Sequence, residues 1–229
     1  MKTIGLIGGL TWLSTVEYYK LLNQLTNERV GGVSSAKIFM YSVNFEEIKT
    51  LTQKDDWNAI AEIISNAAMA LEKAGADCLL LGANTMHNIA GRVQDSIRIP
   101  LLHIARQTAT VIQSMGMSKV ALLGTKYTMQ LPFYREILAE YGIEVMLPGE
   151  DDIEFINNAI YEEMSRGLFL PETRQRFKNI ISSLKHANAE AIILGCTEIP
   201  ILLRDENCGL PLLDTTEIHA KSAVDFALS

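Results

Sequence analysis

Leu80-Leu81-Gly82-Ala83-Asn84-Thr85 and Ile193-Leu194-Gly195-Cys196-Thr197-Glu198 are two apolar runs that each close on a glycine and a short polar turn. The second turn carries a cysteine where the first carries an alanine. A thiol placed just after a strand can act as nucleophile or as base. Free backbone N–H groups in the turn are expected to favour its thiolate and lower its pKa. Cys196 is therefore the first candidate catalytic residue, and Ala83, whose methyl neither takes nor gives a proton, marks the matching position.

A catalytic cysteine often works with a histidine held by a third group. The four histidines are His87, His103, His186 and His219. His87 follows Asn84-Thr85-Met86, and His219 ends the stretch Asp214-Thr215-Thr216-Glu217-Ile218. Either could approach Cys196 across a cleft, with His87 the stronger candidate for support. The other two cysteines have no metal-like spacing: Cys78 lies inside an apolar strand and reads as core, and Cys208 sits in a polar loop.

Strand-length apolar runs alternate with amphipathic stretches along the chain, which argues for parallel sheets in α/β layers. Strands are expected at Thr3–Leu6, Ala36–Tyr41, Cys78–Leu81, Leu101–Leu102, Val120–Gly124, Glu144–Met146, Ala191–Leu194 and Leu212–Leu213. Helices are expected at about 14–29, 56–74, 87–95, 105–116, 131–141, 152–165, 172–187 and 216–227. A strand running into a glycine and a polar turn occurs at 4–11 and again at 120–128, in the same order as the repeat above. This predicts an α/β fold of two similar lobes, each a mainly parallel sheet flanked by helices, with a ligand cleft between them. The first lobe is expected over residues 1–100, completed by 212–229, and the second over 101–211; a single sheet of eight strands is the alternative.

Parallel sheets bind ligands at the carboxyl ends of their strands. Four turns at such ends supply hydroxyls, amides and backbone N–H groups: Thr11, Ser14 and Thr15; Asn84 and Thr85; Thr125 and Thr128; Thr197 and Glu198. A carboxylate is the natural guest of such turns, although each residue also suits an ordinary helix N-cap. Gly5-Leu6-Ile7-Gly8-Gly9 lacks the G-x-G-x-x-G spacing of a dinucleotide site, and the chain has no G-x-x-x-x-G-K-[ST] phosphate loop.

The net charge of -7, with 21% charged residues spread along the chain, argues against nucleic acid and against an acidic membrane surface as partners. The apolar fraction of 48% is ample for a core. No stretch approaches the roughly 18 apolar residues that span a bilayer. No cleavage-type pattern follows the short apolar start, so the chain reads as cytosolic.

Gly8-Gly9-Leu10-Thr11-Trp12-Leu13-Ser14-Thr15, Asn84-Thr85-Met86-His87 and Gly195-Cys196-Thr197-Glu198 together resemble the aspartate/glutamate racemase superfamily, in its bacterial amino-acid racemase branch. The resemblance runs along nearly the whole chain. It implies two lobes that close on a small-molecule amino acid with no pyridoxal phosphate, no other cofactor and no metal, and a homodimer. One cysteine from each lobe flanks the α-carbon in such enzymes. Cys196 matches the second, which deprotonates the L-enantiomer, while the first falls on Ala83. The resemblance also implies substrate contacts from Leu10, Thr52, Asn84, Thr85, Thr125, Thr128, Thr197 and Glu198. The basic positions that read a side-chain carboxylate hold Ile48 and Ser165 here, with Lys49 and Arg166 adjacent. Ala83 leaves several accounts open: a natural residue replaced to trap substrate, a second proton delivered by water or Thr85, a single-cysteine decarboxylase of malonate-type acids, or a module that binds an amino acid without turning it over.

Overall fold

Two apolar runs, Ile4–Gly8 and Cys78–Leu81, lie side by side in a parallel sheet, and a second set repeats the pairing after residue 104. The computed structural model describes residues 1–204 and 206–229. The chain divides into two compact units, Met1–His103 with His219–Ser229, and Ile104–Ile218.

In the first unit β1 (Ile4–Gly8) leads through α1 (Trp12–Val30) to β2 (Ile38–Ser42). Then α2 (Phe45–Gln53) and α3 (Trp57–Ala74) lead to β3 (Cys78–Leu81), a 3-10 turn over Thr85–Ile89 and α4 (Ala90–Asp95). The strands are parallel in the order β2-β1-β3. Side chains alternate across them, as a period of two requires. Ile7, Leu79 and Leu81 pack on one face against Ile60, Ile64 and Leu71 of α3. Ile4, Leu6, Cys78 and Leu80 pack on the other against Tyr18 and Leu22 of α1 and the C-terminal Ala223 and Val224. Each large aliphatic chain so buried contributes about 1.5–3 kcal/mol. Burial also pushes the Cys78 thiol up to about 12, so it is a core residue and not a reactive one.

Two expectations change here. Leu101–Leu102 does not form a strand: Leu101 makes an isolated bridge to Leu79, bounded by Leu79 N–H to the Pro100 carbonyl and Leu102 N–H to the Leu79 carbonyl. The segment after β2, expected as loop, is helix α2, capped by the Asn44 side chain accepting from the Glu46 N–H and burying Ile48 and Thr52.

The second unit runs α5 (Ile104–Ser114), β4 (Lys119–Gly124), α6 (Lys126–Gln130), α7 (Pro132–Glu140), β5 (Glu144–Met146) and α8 (Glu150–Asn158). A π turn (Ala159–Glu163) and a 3-10 turn (Met164–Arg166) follow, then α9 (Pro171–His186), β6 (Ala191–Gly195), α10 (Ile199–Leu202) and β7 (Leu212–Asp214); the last helix, α11 (Thr215–Leu228), starts here and belongs to the first unit from His219 on. Its parallel sheet has the order β5-β4-β6-β7. The helix expected over 152–165 therefore breaks at Asn158 into a wider turn, the kind of local unwinding often found at functional sites. Residues 212–229 do not pass to the first unit as one piece. Leu212–Asp214 pairs with β6 in register Leu194↔Asp214, where Leu213 joins the second core, and the chain rejoins the first unit at His219. Among the described residues, no helix is long and apolar enough to cross a membrane.

His219 is tied within the first unit at both ring nitrogens. Nε2 lies 2.6 Å from the Leu102 carbonyl, which can only accept, so Nε2 carries the proton and Nδ1 accepts from the Tyr18 hydroxyl at 2.9 Å. Complete burial, aided by His103, depresses its pKa to about 3 despite the Leu102 carbonyl. An unfolded histidine titrates near 6.5, so below that pH the unfolded chain gains a proton that the folded chain refuses. The stability from a neutral His219 is complete above about pH 6.5 and is lost as pH falls toward about 3, at roughly 1.4 kcal/mol per pH unit. Urea unfolding between pH 7 and pH 4 measures this slope, and a His219→Gln variant, which keeps a donor and an acceptor but does not titrate, loses about that much of it.

Candidate active site

The two glycines of the repeated turn have one mechanical job. A Cβ built on Gly82 would lie 2.9 Å from the Ile7 carbonyl oxygen of β1, and one on Gly195 would lie 3.0 Å from that of Leu123 in β4. Neither place admits a side chain without displacing the neighbouring strand. The registers Ile7↔Leu81 and Gly124↔Gly195 bring the turns after β1 and β3 together in the first unit, and those after β4 and β6 together in the second.

In the first unit the turn after β3 presents Ala83, Asn84 and Thr85, with Asn84 and His87 buried. The His87 N–H donates to the Asn84 carbonyl, and its ring Nδ1 lies 3.0 Å from the Ala83 carbonyl. A carbonyl only accepts, so Nδ1 carries the proton and Nε2 is an acceptor, buried and without a hydrogen-bond partner among the described residues. Burial first, then the nearby His103 and His219, hold the ring well below its ordinary pKa. The ring centroids of His103 and His219 are 4.7 and 5.5 Å away. His87 is thus a neutral imidazole that fixes the Ala83 turn. His219, with both nitrogens engaged inside the first unit, is not available as a partner of Cys196.

In the second unit the turn after β6 gathers a thiol, a hydroxyl and a carboxylate. The Cys196 Sγ donates to Glu198 Oε2 at 2.8 Å, and Thr197 Oγ1 donates to the same oxygen at 2.7 Å. Glu198 is only 4% exposed. Burial, then the negative charge and hydrogen bond of Glu198, raise the Cys196 pKa well above its ordinary value; the Glu198 and Thr197 N–H groups oppose this and lose. The expected thiolate is therefore a thiol. The helix after Cys196 is the single turn Ile199–Leu202, too short to build an appreciable dipole, and a carboxylate sits on the sulfur. Beside it, Thr125 caps α6 by accepting from the Thr128 N–H, and the two hydroxyls are 3.1 Å apart. Tyr161, on the π turn, interacts with Cys196, Glu198 and Tyr127, and burial raises its own pKa. Sequence reasoning passed over Tyr161; the signal was a tyrosine directly following the buried Ile160.

Other candidates are placed as follows. Leu10 is buried in the first core beside Ile7 and Ile48, and the Thr52 hydroxyl donates to the Ile48 carbonyl at 2.7 Å. Ser165 donates to the Tyr161 carbonyl, and Arg166 is ion-paired with Glu162 at 2.6 Å on the surface. Lys49 is half-buried on α2. Among the described residues, no group of three or more His, Cys, Asp and Glu is arranged to hold a metal ion.

A family model described as Asp/Glu/Hydantoin racemase matches residues 7–223. The chain is similar to a Yersinia pestis protein proposed to be an Asp/Glu racemase, with 44% identity, full coverage of both chains and a TM-score of 0.94. It is similar to an aspartate racemase homologue from Pyrococcus horikoshii, with 34% identity, full coverage of both and a TM-score of 0.88. It is also 26% identical over 174 residues to the broad specificity amino-acid racemase RacX of Bacillus subtilis, covering 76% of this chain and 75% of that one.

A thiol held protonated reacts slowly with electrophiles, because the thiolate is the nucleophile. Iodoacetamide at pH 8, followed by peptide mass mapping, is expected to modify Cys196 at least about tenfold more slowly than an unperturbed cysteine with pKa near 8.5.

Proposed function

The chain belongs to the Asp/Glu/Hydantoin racemase family, and from that premise we propose that it moves the α-proton of a small L-amino acid without pyridoxal phosphate or metal, with Cys196 as the acid/base group. The observation that carries this reading is the Cys196 thiol at the end of β6, its proton directed at a buried carboxylate. As thiolate, Cys196 takes the α-proton of the L-enantiomer, leaving a carbanion whose charge spreads into the substrate carboxylate. As thiol, it returns a proton to the same face. Asn84, Thr85, Thr125, Thr128 and Thr197 supply the hydroxyls and amide that bind the carboxylate and ammonium groups.

Delivery of a proton to the opposite face falls to the first unit, where Ala83 has none to give. Water or the Thr85 hydroxyl does that work, at a cost of about 10² to 10⁴ in rate relative to a positioned acid. The reaction is thus fast proton exchange on the L face with slow inversion. Substrate breadth follows from the side-chain end: Ile48 is apolar, Arg166 is engaged with Glu162, and Lys49 is the candidate for a distal carboxylate. The reading covers aspartate, glutamate and other small amino acids, in the cytoplasm. A homodimer fits the exposed apolar stripe Trp12, Val16 and Tyr19 on α1.

Incubation in heavy water with a panel of L-amino acids is expected to place deuterium at the α-position of at least one, and Cys196→Ala to abolish the labelling. No exchange across the panel with binding intact would make the protein a binding module. Carbon dioxide release from substituted malonates would make it a decarboxylase. Ala83→Cys is expected to raise racemisation by roughly 10²-fold or more, measured by chiral chromatography; no gain would remove the missing-acid account.

A further inference from the structure

Cys196 faces a contradiction if it is to act as a base: at rest it holds a proton. Cys196 is half-buried, and the acceptor its proton already points at is not water but Glu198 Oε2, 2.8 Å away. Glu198 is a buried carboxylate, and burying such a charge is unfavourable unless donors compensate it. Two donors to it are the Cys196 thiol and the Thr197 hydroxyl, both on the same oxygen. Two donors on one oxygen fix the plane of the carboxylate and keep that oxygen on the sulfur. Among the described residues, Tyr161 of the π turn faces the pair, and next to it lies Tyr127 of α6. Neither is a basic side chain, so neither supplies a positive charge that would hold a thiolate in place of Glu198.

We propose that Glu198 is the proton-holding and positioning residue of Cys196, and not a substrate ligand: its carboxylate takes the thiol proton when Cys196 becomes a base and returns it when Cys196 becomes an acid. The proposal rests on the α-proton transfer described above. The steps balance. The S–H bond breaks as an O–H bond forms on Glu198, which converts thiol and carboxylate into thiolate and carboxylic acid with no change in total charge. The thiolate then forms a new S–H bond with the α-proton, whose C–H electron pair stays on the α-carbon. On the return path the thiol gives a proton to that carbon, and Glu198 restores the proton to sulfur. In heavy water the S–H and O–H protons exchange with solvent while the carbanion lasts, so deuterium enters the substrate.

An internal transfer has a signature that solvent-mediated ionisation lacks. The pair keeps one shared proton across the neutral range, so the thiolate fraction is independent of pH there. The wild-type exchange rate is expected to be flat from about pH 6 to pH 8. In Glu198→Gln, Cys196 can lose its proton only to solvent, and the rate is expected to climb about tenfold per pH unit below the thiol pKa. Glu198→Asp, which keeps the carboxylate, should restore a flat profile at reduced rate. A wild-type rate that already climbs tenfold per unit would overturn the proposal without any variant, as would a flat, full-rate profile in Glu198→Gln. If wild type exchanges no amino acid on the panel, the functional reading fails separately. The pH profile of Cys196 alkylation by iodoacetamide then decides the Glu198 assignment: a plateau through neutral pH that disappears in Glu198→Gln supports it, and a profile unchanged by the substitution rejects it.

Discussion

The close approach of the chain at Gly82 and Gly195 to the neighbouring strands β1 and β4 is the constraint on which the rest depends. At Gly82 and Gly195 a carbonyl oxygen of the neighbouring strand occupies the space that a side chain would need. The strand can therefore run to its end in full register and turn at once, so the next residue is the first to leave the sheet. That residue is Ala83 in one unit and Cys196 in the other. The same backbone device serves both, and what differs is the chemistry mounted on it.

Burial then sets the charge state of each group. Desolvation holds His87 and His219 in their neutral form, and each gives its ring N–H to a backbone carbonyl. Cys196 keeps its proton because desolvation, first, and the accompanying Glu198 carboxylate, second, both disfavour its thiolate. The negative charge of the second turn rests on Glu198, where two hydrogen bonds from Cys196 and Thr197 offset the desolvation of the carboxylate. The histidine turn of the first unit thus differs from the thiol–carboxylate turn of the second in whether a carboxylate stands beside the desolvated group.

Much of this was legible before any coordinates. β3 and β5 have the bounds expected from their apolar runs, and the α/β layering followed from the alternation of strand and helix periods. Short elements were not legible. Helices α6 and α10 span five and four residues, less than the two turns over which a 3.6-residue period becomes visible. α2 was hidden by its polar and β-branched residues Thr50 and Thr52, and is held by its Asn44 cap and the burial of Ile48. Cys196 could be chosen from its position alone, but its protonation state could not. That depended on the direction in which the Glu198 side chain turns, which residue spacing does not encode. Counting N–H groups after the strand predicted a thiolate; desolvation, together with a carboxylate at 2.8 Å, outweighs them.

Set in register, the two turns differ at more than the thiol. Ala83 matches Cys196, Asn84 matches Thr197, and Thr85 matches Glu198. The first turn lacks the thiol and also the carboxylate that would receive its proton. Alanine at position 83 is therefore one part of a consistent exchange, in which an ionisable pair is replaced by a methyl and a hydroxyl around a neutral imidazole. A thiol restored at that place would meet Thr85 and the backbone N–H groups with no matching anion in the turn, and its proton would be held less tightly than that of Cys196. The asymmetry between the two turns thus lies in the titratable groups each carries, and the single-residue difference at Ala83 is its most visible trace.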